Sequence, residues 1–154
     1  MTIRELPAGQ TGLAYEALRE LRPHVGDRET FVARVDDLQR PEGYRIVASF
    51  ETGTEQARAA AGFRILHNLA WGRFLYVDDL STVPAARRRG HASRLLAWLG
   101  EQARREGCDA VHLDSGVGPE RRDAHQRYFD AGMRISSYHF SWEPSEWHRL
   151  QARP

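Results

Sequence analysis

Arg87-Arg88-Arg89-Gly90-His91-Ala92 stands between a strand pattern and a helix pattern, and that order points to the fold. Before it, Phe74-Leu75-Tyr76-Val77-Asp78-Asp79-Leu80-Ser81-Thr82-Val83 reads as a strand stopped by Pro84. After it, Ser93 to Glu106 carries Leu95, Leu96, Leu99 and Ala103 at helical spacing. A strand, a basic glycine-containing loop and a helix together describe a phosphate cradle. The helix start offers unpaired N–H groups and partial positive charge. Gly90 admits close approach of a ligand, and arginine forks suit phosphate oxygens. The loop lacks the Gly-Lys-Ser/Thr ending of a P-loop and the Gly-x-Gly-x-x-Gly of a dinucleotide fold. Taken alone, the arginines also fit a solvated surface.

The 154 residues suit a single domain, 1–154, with a sizeable core. No apolar run approaches the roughly 18 residues of a membrane helix, and the first residues have no apolar signal core, so a cytoplasmic location without membrane contact is expected. One cysteine, Cys108, excludes an intrachain disulfide and reads as a structural thiol. The formal net charge is +1, which argues against a protein built to grip nucleic acid. All 22 basic residues are Arg. No lysine is therefore available as a Schiff base or general base. The histidines show no metal-ligand spacing, and no metal is expected.

Around the central segment the chain alternates in an interpretable way. Thr2–Leu6 is a short strand. Thr11 caps a helix to about Leu21, and Gly26 or Asp27 starts a second helix with Phe31, Val32, Val35 and Leu38 on its apolar stripe. Asp36 and Asp37 read as a solvated face. Tyr44–Glu51 and Ala57–Leu66 form a hairpin around Thr52-Gly53-Thr54-Glu55. Gly107 stops the helix after the arginine loop, and Ala110–Ser115 is a strand parallel to the one before that loop. A helix from Asp123 to Ala131 ends at Gly132. Met133 to Glu143 is expected as the last strand, with a bulge near Ser136-Ser137 where the alternation changes phase. Pro144 to Pro154, with Trp147 and Leu150, is expected to dock as a short helix or to fray.

This order, a mixed α/β sheet, mostly antiparallel with one splayed central parallel pair and flanking helices, resembles the GNAT superfamily of acyl-coenzyme A-dependent N-acyltransferases. The resemblance covers essentially the whole chain. Arg87-x-x-Gly90-x-Ala92 is similar to the family's pyrophosphate loop, and Ala124-His125-Gln126-Arg127-Tyr128-Phe129-Asp130-Ala131-Gly132-Met133 to its Ala-x-x-x-Tyr-x-x-x-Gly-Phe helix. Met133 replaces the common Phe. Arg121 stands where many members carry a cofactor-contacting Asn.

The resemblance implies acetyl-coenzyme A as co-substrate and an amine as acceptor. Arg88, Arg89, Gly90, His91 and Ala92 would cradle the pyrophosphate with backbone N–H groups. Ser93 would add a hydroxyl, and Arg87 and Arg89 would hold outer phosphates. The pantetheine arm would pair with the backbone of Leu80, Ser81, Thr82 and Val83. Tyr128 would protonate the departing thiolate, its reference pKa of about 10 keeping it protonated at neutral pH. An alkyl ammonium is only about one part in a thousand free amine there, so a base is worth about three decades of rate. Asp79 and Asp78 are the candidates. Since neighbouring strand residues face opposite sides, only one should reach the cleft, and Asp79 is preferred. Asp114 and Glu51 are outside choices. The acceptor should enter between the first two helices and the last strands, past Trp71, Tyr76 and Tyr138. Asp36, Asp37, Asp78 and Asp79 suggest a cationic small molecule. A homodimer is compatible with this reading. The rivals are a non-catalytic acyl-coenzyme A-binding module and a nucleic-acid patch built on Arg87, Arg88, Arg89 and Arg94.

Overall fold

A computed structural model describes residues 1–144. One five-stranded sheet runs in the order β1 (Thr2–Leu6), β2 (Arg45–Phe50), β3 (Ala59–Asn68), β4 (Gly72–Thr82), β5 (Ala110–Leu113). The first four strands pair antiparallel, and β4 and β5 are parallel. The α-helices are α1 (Tyr15–Arg19), α2 (Arg28–Ala33), α3 (His91–Arg105) and α4 (Arg122–Asp130).

Alternation along β2 assigns the two faces. Ile46, Ala48 and Phe50 join Tyr15, Leu18, Phe31 and Val35 in one core, while Val47 joins Phe63, Leu75, Val77 and the α3 residues Leu95, Leu99 and Ala103 in the other. Leu95 and Leu99 are fully buried, each contributing roughly 1.5–3 kcal/mol by that burial. These two residues fasten α3, and with it the arginine loop, to the sheet.

The helices before β2 differ from a simple pair. Thr11 is not a cap: a 3-10 turn at Thr11–Ala14 leads into α1, and the buried Thr11 hydroxyl donates to Asp36 at 2.6 Å. Asp27 does cap α2, accepting from the Thr30 N–H at 2.9 Å. The helix then widens to a π turn over Arg34–Gln39. That widening breaks the expected stripe and leaves Leu38 64% exposed. Asp36 is not solvated. It also accepts from Arg40 at 2.7 Å, and Arg40 in turn donates to the Leu6 carbonyl.

The last strand is a correction. Residues 133–143 join no strand ladder, and Ile135, Tyr138, Phe140 and Trp142 stay exposed. Apolar alternation prepares a strand but does not supply an edge or a facing layer. The expected terminal helix, with Trp147 and Leu150, lies outside the described residues.

The bulge expected near Ser136-Ser137 occurs instead in the centre of the sheet. Gly62 pairs with Asp79 and Phe63 with Val77, so Asp78 is the extra residue on β4.

Candidate active site

Two features of β4 build the site. Its pairing with β5 ends at Val77–Leu113, whereas β4 continues to Thr82 against β3. The strands therefore part, and Asp78 to Thr82 have no β5 partner on that side. At the same point the bulge at Asp78 breaks the alternation. Asp78 and Asp79 consequently line the same cavity of about 390 Å³, together with Leu18, Arg22, Tyr44 and Tyr76. The expectation that only one carboxylate reaches the cleft is corrected: it holds for a regular strand, and this strand is bulged there.

A second cavity, of about 200 Å³, opens where β4 and β5 separate, lined by Leu80, Leu113, Ser115, Arg121 and Tyr128. The two cavities share Arg22, Val77, Asp78 and Asp114. Asp78 and Asp114 thus stand where they meet.

The carboxylates are held differently. Asp79 Oδ1 accepts from Arg22 Nε at 2.8 Å and Oδ2 from the Tyr44 hydroxyl at 2.8 Å, so both oxygens are engaged. Burial, then the Asp79 charge, pushes the Tyr44 phenol well up, so it stays a donor. Gly62 makes this contact possible, because a Cβ there would lie 1.8 Å from the Tyr44 hydroxyl oxygen. Asp78 faces Arg64 Nε at 3.3 Å. Burial raises its pKa against the Arg64 charge, and the neighbouring Asp79 raises it further. Asp114 accepts from the Tyr76 hydroxyl and lies 3.2 Å from His139 Nδ1. Tyr44, Gly62, Arg22 and Arg64 carry no motif, and sequence reasoning missed them.

On α4, Tyr128 is half-buried, and burial raises its hydroxyl pKa while the Arg121 guanidinium opposes the rise. Arg121 Nε reaches the Ser115 hydroxyl at 3.3 Å. Tyr76 lines the larger cavity as expected. Trp71 and Tyr138 do not: Trp71 stacks on His112 with centroids 4.0 Å apart, and Tyr138 is exposed.

The arginine loop turns through left-handed backbone at Arg88 (φ 60°) and Gly90 (φ 84°) before α3 begins. Gly90 caps the helix with its carbonyl, which accepts from the Arg94 N–H. Among the described residues, the N–H groups of Arg88 through Ser93 have no backbone acceptor. The loop's side chains are unequal. Arg89 pairs with Glu51 at 2.8 Å and Arg87 with Glu20 at 3.8 Å, both exposed enough to exchange partners with little loss. Among the described residues Arg88 makes no ion pair. His91 is fully buried, bridging Ser49 Oγ at 2.9 Å and Glu51 Oε1 at 3.2 Å. With Ser49 buried, this Ser-His-Glu set offers no accessible nucleophile; it ties the loop to β2. Glu51 therefore belongs to the loop's support and not to the cavity. Among the described residues no cluster of His, Cys, Asp and Glu could hold a metal, and no helix is long and apolar enough to cross a membrane.

Comparison with known proteins identifies a family. The model of the acetyltransferase (GNAT) family matches residues 13–133. The chain is 33% identical over 128 residues to the uncharacterized N-acetyltransferase YhdJ of Bacillus subtilis, covering 82% of this chain and 87% of that protein. Over 76 residues, 49% of this chain and 47% of the relative, it is 33% identical to an aminoalkylphosphonate N-acetyltransferase of Salmonella typhimurium. The solved aminoglycoside N-acetyltransferase AAC(6')-Iy in complex with CoA superposes with a TM-score of 0.77 at 16% identity, covering 92% of this chain and 93% of that one. At that identity the likeness concerns the fold.

Proposed function

The chain belongs to the acetyltransferase (GNAT) family, and from that premise we propose that it moves an acetyl group from acetyl-coenzyme A directly to an amine. The observation that carries this reading is the meeting of two cavities at Asp78, one beside the β4–β5 opening and one beneath α1 and α2.

The donor would lie along the opening. The backbone of Leu80 to Val83, bonded to β3 and the Arg58 carbonyl on one edge, offers its other edge, without a β5 partner, to the pantetheine amides. The free N–H groups of Arg88 to Ser93 would receive the pyrophosphate, helped by the helix dipole. Arg87, Arg88 and Arg89 would supply charge at the outer phosphates. The thioester would then sit near Tyr128, and the acceptor amine would come from the larger cavity.

Of the two carboxylates, we assign the base to Asp78 and a positioning role to Asp79, a change from the preference drawn on sequence alone. Asp79 has both oxygens occupied, whereas Asp78 stands at the junction with a raised pKa, which improves a carboxylate as a base. Asp78 would take a proton from the ammonium, directly or through a water. The free amine would attack the thioester carbonyl. As the adduct collapses and the C–S bond breaks, Tyr128 would protonate the departing thiolate. The second amine proton would return to the Tyr128 phenolate, directly or through a water, leaving the amide and the free thiol. Holding both substrates in one geometry removes the need for a covalent enzyme intermediate.

Two measurements test this. Acetyl-coenzyme A at a hundredfold excess over its Kd should stabilise the fold by about 2.7 kcal/mol, read as a higher Tm; no shift at saturation overturns the donor site. Tyr128→Phe should keep that shift and lose roughly a hundredfold or more in turnover with an accepted amine, and unchanged turnover removes the acid role.

A further inference from the structure

Charges on the larger cavity are sorted by element. Asp78 and Asp79 come from β4 and Asp114 from the end of β5, while Arg22, His24 and Arg34 come from the helical wall. Arg22 is committed to Asp79. Arg34 and His24 are not committed: among the described residues neither side chain makes a hydrogen bond or an ion pair. Arg28, Arg40, Arg45 and Arg73 are paired, with Glu16, Asp36, Glu5 and Glu106. Arg88, Arg94, Arg122 and Arg134, like Arg34, make no ion pair among the described residues, but of these five Arg34 is the one that lines the cavity. Arg34 also begins the π turn, a local widening that is frequent at functional sites, and it stands beside the buried, cavity-lining Phe31 and Val35.

Resting on the acetyl-transfer reading above, we infer that the acceptor is a small amine that also bears an acidic group, with the ammonium toward Asp78 and Asp114 and the acid toward Arg34 and His24. The cavity of about 390 Å³ suits a small molecule. A diamine would bring its second ammonium against an unpaired guanidinium, and a simple alkylamine would leave that guanidinium unused. A carboxylate, sulfonate or phosphate would accept its forked donors. Asp79 does not oppose the acid, because Arg22 and Tyr44 already neutralise and bind it.

The test is thiol release from acetyl-coenzyme A with short amines of matched reach: β-alanine, taurine and phosphoethanolamine against propylamine and 1,3-diaminopropane. The acid-bearing amines should show kcat/KM roughly ten- to a hundredfold higher, the range of one charge-assisted contact. Differences among those three distinguish carboxylate, sulfonate and phosphate. Arg34→Gln should raise KM for the preferred acid-bearing amine about tenfold and bring its kcat/KM ratio to propylamine toward one, with Arg34→Lys recovering part of it. Equal rates across the panel, a preference for the diamine, or a ratio untouched by Arg34→Gln overturns the inference alone. No thiol release from any amine overturns the acetyl-transfer reading as well.

Discussion

Buried His91 joins Glu51 through its Nε2 at 3.2 Å, while its Nδ1 meets Ser49 Oγ at 2.9 Å. Because His91 is the first residue of α3, this bridge fixes the helix start to the end of β2. Glu51 also holds Arg89 and lies 3.5 Å from Arg58, and it is kept below the usual carboxylate range: burial opposes this, and the His91 and arginine contacts outweigh it. His91→Ala should destabilise the fold by about 2–4 kcal/mol, from the cavity and the stranded Ser49 hydroxyl, measured by urea unfolding. It should also raise KM for acetyl-coenzyme A more than it lowers kcat. Equal effects on both would separate His91 from the loop.

Gly90 separates backbone strain from ligand contact. A Cβ there meets nothing within 4 Å, so the protein itself leaves room. The left-handed φ of 84° sets the remaining cost, about 1–2 kcal/mol for a side chain. Gly90→Val should therefore stay folded by circular dichroism while losing the acetyl-coenzyme A thermal shift. An intact shift would place the pyrophosphate elsewhere.

Asp78 and Asp79 should diverge on mutation. Asp78→Asn should lower kcat/KM by about 10²–10³ and remove the acid limb of its pH profile. That limb arises because the base works only when deprotonated, and its raised pKa places it above the ordinary carboxylate value of 3.8. Asp79→Asn should retain the limb, with a loss of stability from the weakened Arg22 and Tyr44 contacts. The same limb in both variants would return the base role to another group, Asp114 being next.

Asp36 predicts acid sensitivity of the helical wall. Burial works to raise its pKa, but hydrogen bonds from Thr11 and Arg40 and the Arg40 charge outweigh it, and the folded value is lowered from 3.8. Its contribution is therefore fully present above 3.8 and is lost as pH falls through the lower folded value. Asp36→Asn should cost about 1–3 kcal/mol at neutral pH and flatten the decline of stability below pH ~4. An unchanged acid limb in thermal melts would show that other carboxylates govern it.

The sequence by itself determined the order of elements from β1 to α4, the basic loop ahead of α3, the position of Tyr128 on α4 and the presence of two carboxylates on the central strand. These follow from local periodicity and short motifs, which depend on residues within a few positions of one another. Tertiary structure decided how those carboxylates differ. Arg22 reaches Asp79 across 57 residues, Tyr44 reaches it across 35, and Ser49 reaches His91 across 42. No local pattern encodes such pairings. The bulge at Asp78 likewise depends on how β3 aligns with β4, and it turned an alternation rule into two carboxylates on one cavity. The final tract shows the converse: a period-two pattern of aromatics at Tyr138, Phe140 and Trp142 formed no strand, because a strand needs a partner edge as well as a pattern.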